Sequence, residues 1–359
     1  MAFAVSIAMP NASAQSEKAL ADRGAVEAES DGVRATCGDG SLFATIERRP
    51  MAGGLGWRGK SADRTRAMQR TKEHDMYAIT GITGQVGGVV ATALLNGGKQ
   101  VRAVVRDTTK AQSWAQKGCE IATADMTDAA ALTEALADVE AVFILIPPLF
   151  DPAPGFPEIR SITAALKTAI SHARPSKIVC LSTIGAQASQ SNLLSQLGIM
   201  ENELGALDAP VTFLRAAWFM ENAQADVAPA RETGVIRSFL QPLDKPAPMV
   251  AVSDIGLLAA ELLQETWVGR RVVELEGPRR VSPNEIAACF AEILARPVRA
   301  EIVPRDSWEE LFRSQGATNP GPRARMIDGF NQGWIAFEGT PRHGATPISA
   351  VLRQLVARA

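Results

Sequence analysis

Twelve residues, Tyr77–Gly88 with the sequence YAITGITGQVGG, constrain the fold more than any other part of the chain. A short apolar strand runs into Gly81, Gly84 and Gly87, and an apolar helical stretch, VVATALL, follows directly. The first glycine permits a tight turn, the second lets backbone N–H groups approach a pyrophosphate, and the third allows close packing of helix and strand. The start of the helix offers N–H donors and a positive dipole end. The pattern therefore predicts a dinucleotide-binding turn.

The composition is typical of an enzyme-sized chain. Of its 359 residues 46% are hydrophobic, and the net charge is −2 at pH 7. That charge provides no general attraction to nucleic acid, and no apolar stretch reaches transmembrane length, so we expect neither nucleic acid nor a membrane as partner. Cys37, Cys119, Cys180 and Cys289 form no C-x-x-C pair. They indicate buried free thiols in a reducing cytoplasm, with no disulfide framework and no metal site.

Residues 1–75 differ from the rest of the chain. They show no sustained helical or strand period, and residues 58–72 hold six basic side chains and one acidic side chain. A basic arm for nucleic acid or a partner and a disordered or non-native leader both fit this composition. Phe3–Met9, followed by Ala12–Ala14, also resembles a secretion signal but lacks a positively charged start. We favour the disordered or non-native leader, with Met76 as the true start.

From Met76 onward, apolar strands alternate with helices. The predicted strands of the first half are Met76–Thr80, Val101–Val105, Glu120–Ala124, Ala141–Ile146, Lys177–Ser182 and Val211–Leu214. Continuous apolar strands separated by helices predict a parallel sheet covered on both faces, an α/β fold. We expect a doubly wound Rossmann core over 76–215 and a small α+β substrate-side part over 216–337, from which the sheet can also take strands. Residues 338–359 are predicted as a C-terminal tail.

The end of the second strand bears on the type of dinucleotide. In NAD sites an acid accepts the adenosine ribose hydroxyl, whereas a nearby arginine suits the 2′-phosphate of NADP. Arg106 presents a planar fork of donors that matches a phosphate, so NADP(H) is favoured over NAD(H); a solvated surface arginine is the alternative. Asp107 can accept the ribose hydroxyl or pair with Arg106. Asp125 and Met126, after the third strand, are placed to border the adenine, and an ordinary turn explains Asp125 equally well.

Several further segments follow one another at characteristic intervals. They are TGITGQVG, VRAVVRD, ADMTD, ILIPP, LSTIGA and, at Val211–Ala223, VTFLRAAWFMENA. Together they closely resemble the NmrA-like family, the atypical extended branch of the short-chain dehydrogenases/reductases. The resemblance covers about Met76–Phe337, and it implies a Rossmann domain with a small C-terminal domain and NAD(P) in the crevice.

The resemblance also implies roles for individual residues. Around the pyrophosphate it places Gly81, Thr83, Gly84, Gln85, Val86 and Gly87. Near the 2′-phosphate and the adenine it places Arg106, Asp125 and Met126. Near the nicotinamide ribose it places Ile146, Pro147, Ser182 and Thr183. Asn222 would face the substrate-side cavity.

The chain lacks the Tyr-x-x-x-Lys pair that performs acid–base chemistry in the wider superfamily. Its one tyrosine is Tyr77, in the first strand, and no lysine lies between Lys177 and Lys245. Relatives often carry Lys or His about four residues before a glutamate in the following helix. If Glu201 is that glutamate, the aligned residue here is Leu197. We therefore expect no conventional alcohol dehydrogenase mechanism and assign no catalytic residue.

Two functions of different classes fit these observations. The first is an NAD(P)H-dependent oxidoreductase that transfers hydride to a quinone-like or similar electron-poor acceptor, whose anion takes its proton from water. Phe150, Phe156, Trp218 and Phe219 are candidates for an apolar slot around a flat ring, with ordinary core packing as the alternative. The second is a non-catalytic NADP(H)-sensing regulatory protein that acts through a protein partner. We favour the reductase, in the cytoplasm, with a small-molecule acceptor.

Overall fold

The computed structural model of the protein describes residues 76–359. The predicted disordered or non-native leader, residues 1–75, lies outside the described residues, as does Cys37. In the described part of the chain the other three cysteines are buried and free. No helix within residues 76–359 combines the length and the apolar character that a membrane crossing requires.

Eight strands form one parallel sheet. The strands of the described chain are β1 (Met76–Thr80), β2 (Gln100–Val105), β3 (Glu120–Thr123), β4 (Ala141–Ile144), β5 (Lys177–Thr183), β6 (Val211–Ala216), β7 (Trp218–Phe219), β8 (Val235–Ser238), β9 (Met249–Val250), β10 (Arg270–Glu276), β11 (Arg299–Ile302) and β12 (Arg342–His343). The main sheet has the order β3-β2-β1-β4-β5-β6-β10-β12. The part from β3 to β6 has the strand order of a Rossmann sheet, which reverses direction between β1 and β4. The predicted doubly wound Rossmann fold is confirmed.

Helices cover both faces of this sheet. They are α1 (Gln85–Asn96), α2 (Gln112–Gln116), α3 (Ala129–Ala135), α4 (Pro157–Ala173), α5 (Ser195–Leu204), α6 (Val227–Glu232), α7 (Val252–Gln264), α8 (Pro283–Leu294), α9 (Trp308–Ser314), α10 (Gly321–Gln332) and α11 (Ile348–Arg358). Successive strand side chains point to opposite faces. In β1, Tyr77 and Ile79 therefore join the core against α1 and α7, whereas Ala78 joins the core against α4 and α5.

Local side-chain chemistry explains several helix starts. Asp128 accepts hydrogen bonds from the first backbone N–H groups of α3, at 3.0 Å. Ser282 and Glu285 form a reciprocal capping box around the start of α8, and Pro283 occupies its first position. Both arrangements satisfy backbone donors that have no partner inside the helix. Local side-chain chemistry thus fixes where α3 and α8 begin.

Several predicted elements differ in extent from the observed ones. β4 ends at Ile144, two residues before the predicted end, because the Leu145 N–H donates to the Thr80 hydroxyl at 2.8 Å. Between β2 and β3 the chain forms a 3-10 turn, Thr108–Ala111, and the short helix α2. The Asp107 carboxylate caps the start of this turn by accepting from the Thr109 N–H at 2.9 Å.

Residues 216–359 contribute both to the main sheet and to smaller elements beside it. β10 and β12 extend the main sheet, while β7 pairs with β9 and β8 pairs with β11 in two separate parallel sheets. Val351, Leu352 and Leu355 of α11 pack into a core with Phe290 of α8. The segment predicted as a tail thus carries one strand and one packed helix. The domain boundary after residue 215 stays a prediction.

A buried ion pair joins four of these elements. Arg215 on β6 is 3% exposed, and its guanidinium donates to both carboxylate oxygens of Glu201 on α5, at 2.8 and 2.7 Å. Ser182 on β5 donates to the same carboxylate at 2.6 Å. Arg215 also donates to Glu338 and lies 3.8 Å from Glu274 on β10. Burial opposes the charge of Arg215, but the hydrogen bonds to Glu201 and Glu338 raise its pKa above the ordinary value.

The buried pair leads to a stability prediction. Glu201→Ala leaves the Arg215 guanidinium buried without its bidentate partner, so we expect the free energy of unfolding to fall by about 3–5 kcal/mol. Glu203→Ala is the matched control, because Glu203 lies on the same helix and its ion pair with Lys167 is 46% and 43% exposed. That variant should lose no more than about 1 kcal/mol. Urea unfolding followed by circular dichroism measures both, and equal losses would contradict the role of the buried pair.

Candidate functional site

The glycine turn connects β1 to α1, and its backbone accounts for its glycines. Gly81 has a φ of +66°, in the left-handed region that glycine adopts without strain, and its carbonyl accepts from the Gly84 N–H at 2.9 Å. A Cβ on Gly87 would clash with the Gly81 carbonyl oxygen. α1 begins at Gln85 with no capping side chain and no acidic residue in its first turn. Its first N–H groups therefore suit an anion, so the turn fits the predicted pyrophosphate.

The glycine turn lies beside the residues that follow β4. The Thr80 hydroxyl accepts from the Leu145 N–H at 2.8 Å and lies 3.2 Å from the Leu145 carbonyl oxygen. A Cβ on Gly81 would lie 3.0 Å from the Leu145 side chain. The predicted nicotinamide-side residues Ile146 and Pro147 come directly after Leu145. The structure thus brings them to the glycine turn, at the crevice where the strand order reverses and ligands bind in such sheets.

The carboxyl ends of β2 and β3 carry the predicted adenosine-side residues. Arg106 is exposed directly after β2, which pairs with β1. Asp107 accepts from the Thr109 N–H and hydroxyl at 2.9 and 2.6 Å, and these bonds lower its pKa. Asp125 accepts from Thr127 in the same way, at 2.9 and 2.6 Å; these bonds lower its pKa, with a smaller contribution from the charge of Arg106. Arg106 therefore lies close to Asp125, while Asp107 caps its own turn.

A pocket opens between the residues that follow β4 and the start of α5; we call it the β4-exit pocket. Its lining includes Ile146, Pro147, Phe150, Leu194, Leu197 and Met326. Its one polar side chain, Gln196, donates to the carbonyls of Leu149 and Leu193 at 2.9 and 3.0 Å. No ionisable side chain of the described residues is in this lining. Leu197 contributes to its apolar wall.

Ser182 and Thr183 end β5 in different surroundings. The Ser182 hydroxyl donates to Glu201 inside the buried ion-pair network. Thr183 is half-buried, and its hydroxyl donates to the Ile184 carbonyl at 3.2 Å. Because Glu201 is held by Arg215 and Ser182, this carboxylate is engaged in the core and faces no substrate. Of the two predicted β5 residues, only Thr183 is partly exposed at the crevice edge.

The described residues bring together no Tyr–Lys pair at the crevice. Tyr77 is 3% exposed and packs in the core against α1 and α7. His172 lies on α4 with its Nδ1 2.8 Å from the Thr168 carbonyl. His343, on β12, lies 4.0 Å from Glu276. None of these three side chains lines the β4-exit pocket.

The predicted substrate-side residues divide between two pockets. Phe150 lines the β4-exit pocket, whereas Trp218, Phe219 and Asn222 line a second pocket beside β8, here named the Trp218 pocket. Trp218 packs edge-to-face on Phe330, with ring centroids 5.2 Å apart. The fourth aromatic candidate, Phe156, packs partly buried against the core beneath α4. A single aromatic slot built from all the candidate rings is therefore not formed.

The Trp218 pocket is lined by two ionisable side chains, Asp226 and Arg237, and no sequence motif marks Asp226. Asp226 ends the 3-10 segment Met220–Asp226, four residues after Asn222, and lines the same pocket. Burial raises its pKa to about 7. The Asn222 Oδ1 is buried without a hydrogen-bond donor among residues 76–359. The i, i+4 spacing of these two residues is the one sequence signal that could have connected them.

A family model matches most of the described chain. The model of the NmrA-like family matches residues 73–324. Two relatives align with 243 residues of the chain, covering 67% of it and 82% of each relative. Quinone oxidoreductase 2 of Escherichia coli K12 is 30% identical, and an NAD(P)H azoreductase of Xenophilus azovorans is 26% identical.

A solved structure is similar to the whole described fold. The crystal structure of the NADPH-dependent quinone oxidoreductase QOR2 of Escherichia coli, complexed with NADPH, is 25% identical in sequence. It superimposes with a TM-score of 0.67 and covers 78% of this chain and 99% of that chain. The likeness thus includes the glycine turn and both covered faces of the sheet.

The contact between Gly87 and Gly81 gives a second stability prediction. Gly87→Ala places a methyl group against the Gly81 carbonyl, so β1 and α1 must move apart at a cost of about 1–3 kcal/mol. Gly321→Ala is the control, because a Cβ there meets no atom within 4 Å and α10 begins at this residue. It should be neutral or stabilising by up to about 1 kcal/mol. Thermal unfolding of both variants measures the difference, and an unchanged Gly87→Ala protein would refute the close approach.

Proposed function

The chain belongs to the NmrA-like family, and we propose that it is an NAD(P)H-dependent oxidoreductase that transfers hydride to a quinone-like or similar electron-poor acceptor. Its relatives quinone oxidoreductase 2 and NAD(P)H azoreductase are named as reductases, which supports the reaction class. The glycine turn and the uncapped start of α1 support a bound dinucleotide. The same relatives favour the reductase over the NADP(H)-sensing protein.

The observation that carries the proposed acceptor class is the β4-exit pocket. It adjoins Ile146 and Pro147 and has an apolar lining without an ionisable side chain among the described residues. Such a lining excludes water but donates no proton. An electron-poor acceptor suits it, because the anion formed by hydride transfer is stabilised by the acceptor itself and takes a proton from water later.

In such a reaction the residues of the chain bind and orient the cofactor and the acceptor, and they exclude water from the reacting atoms. The nicotinamide, when bound, supplies the hydride. The backbone N–H groups at the start of α1 would hold the pyrophosphate of a bound dinucleotide, and Gly87 lets α1 approach β1 closely. Ile146, Pro147 and Phe150 keep water from the reacting face. Positioning alone accounts for a large part of the rate when two reactants are held together.

Arg106 supports a preference for NADPH. Its guanidinium is exposed at the end of β2, where a 2′-phosphate would lie. Asp107, the acid that would accept a ribose hydroxyl in an NAD site, already accepts two hydrogen bonds from Thr109. A cytoplasmic location is part of the proposal, because NADPH is available there and Cys119, Cys180 and Cys289 are free thiols.

The cofactor preference is tested by Arg106→Ala. We expect the unmodified protein to bind NADPH more tightly than NADH, and the variant to lose about 10- to 100-fold in NADPH affinity with little change for NADH, since charge-assisted bonds to a phosphate contribute about 1.5–3 kcal/mol. Arg325→Ala, which removes an exposed arginine from α10, is the control. Isothermal titration calorimetry measures the affinity of each of the three proteins for NADPH and for NADH. Equal affinities for the two cofactors in the unmodified protein would sink the assignment.

The acceptor class is tested by NADPH oxidation with a panel of benzoquinones and naphthoquinones. We expect turnover, and we expect Phe150→Ala to raise KM for the quinone several-fold while NADPH affinity stays unchanged, because Phe150 lines the acceptor-side pocket and not the glycine turn. Steady-state kinetics and cofactor titration on the same preparations separate the two effects. Tight NADPH binding without turnover on any quinone would favour the sensing protein instead.

A further inference from the structure

We propose that the Trp218 pocket is a binding site for a planar aromatic cation, with Asp226 and Asn222 as its polar recognition groups and aromatic rings as its walls. The inference concerns binding alone and goes beyond the proposed reduction. It rests on two acceptor groups without donors in one pocket, on the rings that surround them, and on the charges of the neighbouring elements.

Asp226 carries a buried carboxylate without a partner. No hydrogen bond or ion pair joins it to another residue of the described chain, and burial alone raises its pKa to about 7. A buried unpaired charge costs folding free energy, so such groups are expected where a ligand supplies the missing partner. Asp226 is nevertheless reachable, because it is not fully buried and lines the pocket. A cation that enters the pocket would supply the missing partner of the Asp226 carboxylate.

Asn222 adds a second acceptor to the same wall. Its Oδ1 is buried and has no donor among residues 76–359. Buried polar atoms normally have a hydrogen-bond partner, and an exception calls for a ligand or a functional role. The remaining hydroxyl of the lining, Ser238, donates to the Leu240 carbonyl at 2.8 Å and so is engaged elsewhere. Two acceptors without donors favour a ligand that is positive or donates hydrogen bonds.

The apolar walls favour a flat aromatic ligand. Trp218, Phe219 and Phe239 line the pocket together with the aliphatic side chains of Ile236 and Met249. The face of an aromatic ring attracts a cation within about 6 Å of its centroid, most strongly for tryptophan. Edge-to-face packing on a neighbouring phenylalanine holds the Trp218 ring in place. Rings and a carboxylate in one desolvated pocket are complementary to a delocalised positive charge.

Neighbouring charges do not already neutralise Asp226. The charged groups on the elements that pack against its segment or line its pocket are Glu221 on the same segment, Arg231 and Glu232 on α6, Arg237 on β8, Glu285 and Glu292 on α8, and Arg353 and Arg358 on α11. Glu221 accepts the Val252 N–H, and Arg231 donates to the Val356 carbonyl. Arg237 is exposed to solvent, and it forms no ion pair with Asp226 in the described chain. The Asp226 carboxylate is therefore available to bind a ligand.

The test is a titration of the full chain, without NADPH, with 10-methylacridinium and with neutral 10-methylacridone, which has the same tricyclic frame. Ligand fluorescence measures both affinities. We expect the cation to bind at least about tenfold more tightly than the acridone at pH 8, as for a close desolvated charge pair. Because a group of pKa about 7 is mostly protonated at pH 6 and mostly ionised at pH 8, the cation's affinity should rise about tenfold over that range. The acridone's affinity should not change.

Two variants that each remove one negative charge complete the test. Asp226→Asn should lower the cation's affinity at pH 8 by about tenfold or more and abolish its pH dependence, as expected when a close charge pair is lost. Glu232→Gln, on the exposed side of α6, should leave both unchanged. Thermal unfolding verifies the fold. The folded-state pKa of Asp226 lies above its unfolded value, so the folded state loses stability as pH rises from about 4 to about 7. Asp226→Asn should therefore unfold at a higher temperature than the unmodified protein at pH 8 and at the same temperature below about pH 4.

Three results would overturn the inference: equal affinities for the two probes, a cation affinity that does not vary with pH, or unchanged binding by Asp226→Asn. Binding of neither probe would overturn it as well. NADPH affinity, measured separately on the same preparations, bears on the proposed oxidoreductase alone. Failure of one proposal is thus distinguishable from failure of the other.

Discussion

The bidentate pair between Arg215 and Glu201 is the interaction on which the centre of the structure depends. It links β6 to α5, and through Ser182 and Glu274 it reaches β5 and β10. A buried pair offsets its desolvation only when its geometry is good and its remaining polar atoms have partners. Both conditions hold here. The strands that end at the crevice are therefore held in register by charge as well as by the backbone ladder.

This pair also limits the chemistry of the crevice. The Glu201 carboxylate accepts hydrogen bonds from Arg215 and Ser182, so it is engaged in the core. Leu197, one turn before it, faces the β4-exit pocket. An apolar pocket beside Ile146 and Pro147 suits hydride transfer that needs no proton from the protein. The reductase proposal therefore rests on two features. One is the lack of ionisable side chains in the lining of the β4-exit pocket. The other is the glycine turn proposed to bind the dinucleotide.

Glu201 and Asp226 show opposite uses of a buried carboxylate. Glu201 accepts hydrogen bonds from two side chains and belongs to the framework of the fold. Asp226 has no partner in the described chain, and burial moves its pKa to about 7. The first arrangement stabilises the folded state. The second weakens it above neutral pH, which is the cost expected of a group kept for a ligand.

The sequence by itself determined the glycine turn, the alternation of strands and helices, the parallel sheet covered on both faces, and the absence of a Tyr–Lys pair. These features follow from backbone requirements and side-chain periods within a few residues, as at Gly81 and in the capping box of α8. Only the tertiary structure decided the partners of Ser182, Glu201 and Arg215, the separation of Phe150 from Trp218, and the isolation of Asp226. Those outcomes depend on contacts between residues far apart in the chain, such as Arg215 with Glu338, 123 residues later. No local pattern encodes such a distance, because the packing of the whole sheet brings the partners together.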